Sequence, residues 1–170
     1  MKVSVKLDSN GQLPAAYGKF ANPEDFKNHY PLRSFPIQIS ELPAQTRTWA
    51  FTFTDPDSIP VCGFSWIHWS GANLPAEVLE LPANASQQPP VAFLQGKNST
   101  ISSFIGETDP TIYEHYVGPT PPDQLHRYEL RVYAVDQILP LTNGFWLNEL
   151  QHALTGHILA HAKIILPYRA

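Results

Sequence analysis

Charge is scarce in this chain. Only 15% of its 170 residues are Asp, Glu, Lys or Arg, against about 25% in an average soluble domain. There is a single cysteine, Cys62, so no internal disulfide framework can form. No stretch approaches the 18 consecutive apolar residues of a membrane span. The opening MKVSVKLDSNGQL lacks the unbroken apolar run of a secretory signal. Eleven basic residues stand against 15 acidic ones, for a net charge of −4 and a pI of about 5.9, with no Lys/Arg cluster. That balance lacks the basic footprint of a nucleic-acid binder and does not suit a strongly anionic membrane. The expectation is a cytoplasmic protein with no nucleic-acid partner and no integral membrane association. Without a secretory signal, the sequons Asn84-Ala-Ser and Asn98-Ser-Thr are read as chance.

Apolar content and proline are plentiful instead. The chain is 43% hydrophobic and 12% aromatic, too apolar for intrinsic disorder. Its 17 prolines argue against a helical bundle or coiled coil, because a proline inside a helix costs about 3 kcal/mol. One compact, mainly β domain with stiff loops, spanning 1–170, is the reading that remains.

Alternation organises the strands. Val3, Val5 and Leu7 alternate with polar residues, the two-residue period of a half-buried strand, and Asn10-Gly11 marks a turn. Phe35 to Ile39 is a short strand, which Pro36 places at a sheet edge. Arg47 to Thr54 is a strand stopping at Asp55-Pro56-Asp57. Ser65 to Gly71 is another, with Trp66, His68 and Ser70 on one face. Residues 74–103 hold Pro75, Pro82, Pro89 and Pro90 with little periodicity and read as a long surface excursion, a kind of loop that is often functional. After a second irregular stretch, 106–125, the strand His126 to Asp136 places His126, Tyr128, Leu130 and Val132 on one face. Leu147, Leu150, Leu154 and Ile158 recur at helical spacing, predicting a helix over about 146–162 capped by Thr142 or Asn143. Lys163 to Tyr168 is a final short strand. The fold class is mainly β, a β-dominated α+β arrangement.

Three clusters carry candidate chemistry. Asp55 and Asp57 at a strand end, His68 between two tryptophans, and His126 and Tyr128 after a Gly-Pro-rich loop would form a nest of donors with a free N–H at Gly118. Such a nest suits a small anion or a phosphate group, with the aspartate fixing a histidine tautomer. The alternative is that each is a separately satisfied core polar residue. His157 and His161, at i and i+4 on the helix with His152 upstream, have metal-site spacing. However, Ile158 stands where a metalloprotease has its Glu, so no metal and no cofactor is expected. Cys62 with a histidine, or Ser65, would need an activating context that Pro60-Val61-Cys62-Gly63 and Gly63-Phe64-Ser65-Trp66-Ile67 do not supply. No catalytic residue is assigned.

Several blocks together carry a resemblance. Asp55-Pro56-Asp57, Trp66-Ile67-His68-Trp69, Gly118-Pro119-Thr120-Pro121-Pro122 and His126-Arg127-Tyr128, followed by Leu130 to Asp136 and Gly156-His157-Ile158-Leu159-Ala160, stand in the order found in one family. Over about residues 47–168 the chain resembles the phosphatidylethanolamine-binding proteins, closest to their bacterial and archaeal, Raf kinase inhibitor-like branch. The resemblance implies a large antiparallel sheet packed on a smaller one, a helix near the C-terminus, and a pocket for phosphate-like anions. It implies ligand-binding roles for Asp55, Asp57, His68, Gly118, Pro119, His126 and Tyr128. It also implies a cis peptide near the first block, which Asp55–Pro56 could adopt. Residues 33–39 depart from the family's Gly/Asn-Ser-Pro stretch at that pocket wall. Asp123-Gln124-Leu125 stands where the family has a glycine. Asp123 would narrow the entrance or add a negative charge there, weakening anion binding over a range of about 8 Å.

The reading that follows is a non-enzymatic protein binding a small anion or phosphorylated ligand, with a kinase or protease as the partner it would modulate. His68, His126, Gly118 and Tyr128 would donate, and Asp55 would orient His68. The alternatives are a hydrolase using Asp55 and His68 as an acid–base pair, a metal site of Asp55, His68 and His126, and a protein-interaction module acting through the 74–103 loop. The oligomeric state is open, and a homodimer is compatible with it.

Overall fold

A computed structural model describes residues 1–170. Its strands are β1 (Lys2–Ser4), β2 (Phe26–Lys27), β3 (Tyr30–Pro31), β4 (Ile37–Ser40), β5 (Thr48–Asp55), β6 (Trp66–Pro75), β7 (Glu80–Leu81), β8 (Leu94–Gln95), β9 (His126–Val135) and β10 (Ile158–Tyr168). Its α-helices are α1 (Ile59–Cys62), α2 (Pro110–Tyr113) and α3 (Leu147–Leu154). An antiparallel five-stranded sheet runs β10-β9-β5-β6-β8, a three-stranded sheet runs β1-β4-β7, and β2-β3 form a ribbon. The fold is thus mainly β.

Alternation builds the core between the two sheets. Phe51 and Phe53 of β5, and Tyr128, Leu130 and Val132 of β9, point to one side and are buried there. Phe35, just ahead of β4, meets Phe53 edge to face at 4.9 Å and Tyr116 at 5.7 Å. This edge-to-face geometry lets each ring's positive edge meet its neighbour's negative face. The opposite face of the large sheet is covered at one end by α3, where Leu150 and Leu154 bury against Ala50, Ala72 and Val135.

Several elements differ from expectation. β4 lies between β1 and β7 and is not an edge strand. Pro36 precedes it, so its missing N–H costs no ladder bond. The C-terminal helix stops at Leu154 instead of running to 162. Gly156 takes φ +82°, the left-handed backbone that ends helices, and the chain from Ile158 onward joins β9. Neither Thr142 nor Asn143 caps α3. The Glu149 carboxylate accepts from the Trp146 N–H (2.7 Å), and Asn143 Oδ1 accepts from Gln95 N–H (3.0 Å).

Residues 74–103 are no surface excursion either. They contribute β7, β8 and the buried Ser86, Gln95, Asn98 and Thr100. Side chains replace the missing ladder. Asn98 donates to the carbonyls of Ile112 (2.7 Å) and His115 (2.8 Å), while its Oδ1 accepts from the Thr100 N–H (2.9 Å). No helix is long and apolar enough to cross a membrane.

Candidate functional site

A cavity of about 210 Å³ opens where the end of β5 meets the starts of β6 and β9. Its walls include Asp55, Trp66, His68, Val117, His126 and Tyr128. Each arrives for a local reason. Asp55 ends β5 and heads the turn Pro56–Ser58, where its Oδ1 accepts from the Asp57 N–H (3.0 Å). His126 and Tyr128 are alternate inward positions of β9. His68 is the extra residue of a bulge. β6 pairs Trp69 with Phe53 but Ile67 with Thr54, so the two-residue period slips there. The His68 ring packs 5.5 Å from that of Phe53 and 5.1 Å from that of Tyr128. Ser70 does not share this face. It lies against Gly96 and Phe145 on the other side of the sheet.

The two histidines are in opposite states. His68, 4% exposed, places Nδ1 2.6 Å from the Val117 carbonyl. A carbonyl only accepts, so Nδ1 carries the proton and Nε2 keeps a lone pair. Burial lowers the His68 pKa to about 4, against the Val117 carbonyl and the Asp55 charge that favour protonation. At neutral pH His68 is therefore an acceptor toward the cavity, not the donor expected. Asp55 does not orient it. The Asp55 carboxylate instead holds His126, whose Nδ1 donates to Oδ2 at 2.7 Å, while its Nε2 donates to Asp123 Oδ1 at 2.9 Å. Carboxylates at both nitrogens require both to be protonated. Burial opposes this charge and the two carboxylates outweigh it, holding the His126 pKa above its ordinary value. Burial, and then the neighbouring Asp55 charge, raise the pKa of Tyr128 and keep its hydroxyl protonated.

Other expected members fall outside the cavity wall. Asp57 is structural, its Oδ2 accepting from the Arg127 N–H (2.8 Å). The Gly118 N–H is not free: it donates to the Pro31 carbonyl (2.8 Å). A side chain there would strike the Tyr17 carbonyl at 2.5 Å, so glycine is needed for close packing. Pro119 accepts from Lys19 N–H (2.9 Å), and Pro121, which does line the cavity, accepts from Lys19 Nζ (2.7 Å). Every peptide bond is trans, Asp55–Pro56 included.

The Asp55/His68 acid–base pair is not formed, and no group of three or more His, Cys, Asp or Glu side chains converges to hold a metal ion. His157 precedes β10 and pairs with Asp136 (3.0 Å), while His161 lies within the strand and His152 on α3. They therefore share no helical face.

Sequence reasoning missed Tyr30, Ser58, Val61, Thr120 and the Val117 carbonyl as wall elements. Their stretches carry no periodicity, and a backbone carbonyl has no residue-type signal. An apolar row of rings runs from the cavity wall to the surface: Trp66 stacks on Phe64 at 5.8 Å, and Phe64 on the 82% exposed Phe104 at 6.1 Å.

With this geometry in place, relatives can be compared. The chain matches the profile of the phosphatidylethanolamine-binding protein family over residues 3–169 and belongs to that family. It is 44% identical over 164 residues to the uncharacterized protein YxkA of Bacillus subtilis, covering 96% of this chain and 98% of that protein. It is 32% identical to a UPF0098 protein of Methanothermobacter thermautotrophicus over 96% of this chain and 94% of the relative. A phosphatidylethanolamine-binding protein homologue from Chlamydia trachomatis superposes with a TM-score of 0.78 at 26% identity, covering 99% of this chain and 97% of the other.

Proposed function

We propose that the chain is a single-domain, non-enzymatic binding protein whose cavity takes the acidic group, of phosphate or carboxylate type, of a compact ligand. One observation carries this reading. His126 is a buried imidazolium, 1% exposed, anchored through Nδ1 by Asp55 and donating its second N–H to the carboxylate of Asp123, the residue after the cavity-lining Pro122. A charge-assisted donor in a water-poor wall is worth about twice a neutral one. Tyr128 adds a protonated hydroxyl beside it.

The cavity volume lies below the roughly 300 Å³ at which pockets for drug-sized ligands begin, so the group it encloses is small. Bond-making chemistry has no support in the wall. Ser58 Oγ has the main-chain carbonyls of Asp55 (2.6 Å) and Phe64 (2.8 Å) as acceptors for its one proton, and Cys62 Sγ donates to that of Phe64 (3.3 Å), so each is held by main chain and not by a base.

Calorimetric titration of acetate and inorganic phosphate into wild type and His126→Gln tests the reading, with circular dichroism confirming the fold of each. Binding weakened about tenfold or more by the substitution is expected. Equal binding in both, or none in either, would overturn the assignment.

A further inference from the structure

The cavity's charge does not suit a free dianion. No Lys or Arg lines it, His68 is neutral, and the imidazolium of His126 is met by two carboxylates, Asp55 and Asp123. Counting these groups leaves the site with one negative charge in excess before any ligand arrives.

The two carboxylates are not equivalent. Asp55 is 3% exposed and has both oxygens engaged, by His126 and by the Asp57 N–H. Asp123 has a half-exposed side chain and reaches His126 from just beyond Pro121 and Pro122, which line the cavity. Asp55 is a fixture of the fold. Asp123 can rotate into water without leaving a buried charge behind, so its carboxylate already occupies the position that an arriving acid group would need.

We infer that Asp123 masks the donor of this cavity: its carboxylate is the resident acid on His126 Nε2, and a ligand binds by exchanging one singly charged acid group of its own for it. The inference rests on the anion-binding reading above and narrows it. Exchange of one single charge for another leaves the site's charge unchanged. A dianion in the same place would face Asp55 with a second negative charge that no cation of the cavity lining offsets. Carboxylic acids and singly ionised phosphate esters therefore fit, and doubly ionised phosphates do not. The resident carboxylate also masks the donor, and a mask reduces apparent affinity by the fraction of time the donor is free.

The probes are acetate, singly charged from pH 6 to 8, and inorganic phosphate, which passes from monoanion to dianion over that range. They are titrated into wild type, Asp123→Ala and Asp123→Asn. The charged and titratable groups around His126 are Asp55 and Asp123 at its nitrogens, Tyr128 beside its ring and Tyr168 opposite it on β10, and a change in its protonation acts on acetate and phosphate alike. The ratio of phosphate to acetate affinity removes that shared dependence.

Asp123→Ala is expected to bind acetate about tenfold or more tightly than wild type. Asp123→Asn, which keeps an acceptor but no charge, is expected to fall between. The phosphate-to-acetate ratio should drop from pH 6 to 8 in wild type and in Asp123→Ala alike, because the buried Asp55 faces the bound group in both. If wild type and Asp123→Ala bind acetate equally, or the ratio stays level from pH 6 to 8 in wild type, the inference fails while anion binding stands. If no folded variant binds either probe, the anion-binding reading itself fails and takes the inference with it.

Discussion

His68 titrates near 6.5 when unfolded and near 4 in the fold, so the pH dependence of stability at this residue has a definite sign. Above about pH 6.5 the imidazole is neutral in both states and contributes no slope. Between the two values only the unfolded chain takes up the proton, so stability is lost as pH falls. The loss is complete below about pH 4, at about 3 kcal/mol. His126 runs the other way. Its raised pKa contributes stability that is fully present below the ordinary histidine value and disappears as pH rises through the folded one. Urea unfolding at pH 7 and pH 5 separates the two. His68→Gln should lose about 2 kcal/mol less than wild type on going to pH 5. An equal loss in both would mean that His68 is already charged in the fold.

Elements were legible in the sequence where one physical signal dominated. β5 and β9 follow from aromatic and β-branched residues alternating over eight and ten positions, and the structure moves their ends by one residue at most. The helix failed at its C-terminus because Ile158 fits a helical stripe as well as a strand. What decides is Gly156, whose left-handed backbone has no side-chain signal beyond the glycine itself. The bulge at His68 was hidden for a related reason, since a one-residue slip depends on the pairing partner. Residues 74–103 were misread because polar side chains hold them in the interior, and Ser, Asn and Gln look the same in a loop and in a buried network. Asp55, His68, His126 and Tyr128 do line one cavity, but their pairings, Asp55 with His126 and His68 with a carbonyl, depend on Cβ directions that the sequence does not carry. The helix stop can be measured. No atom lies within 4 Å of where a Gly156 side chain would sit, so Gly156→Ala tests backbone conformation alone. It should destabilise the fold by about 1 kcal/mol without altering the cavity. Unchanged stability would show that the left-handed turn is not what ends α3.

At the scale of the whole molecule, scarce charge sets how a ligand arrives. The net charge is −4, and the groups around the cavity add local negative charge through Asp55 and Asp123. Long-range steering of an acidic ligand is therefore weakly repulsive, and the attraction comes from short-range contacts with the His126 N–H and the Tyr128 hydroxyl. Added salt screens the repulsion, with a Debye length falling from about 30 Å at 0.01 M to about 8 Å at 0.15 M. It barely touches a contact made inside a buried wall. Binding of an acidic probe should thus stay level or strengthen slightly over that range, the opposite of the steep loss expected from a basic surface patch. Titrating acetate into Asp123→Ala at the two ionic strengths, set with a large organic salt too bulky to enter the cavity, measures this directly. A severalfold weakening at the higher ionic strength would place the binding on exposed cations elsewhere on the surface and not on His126.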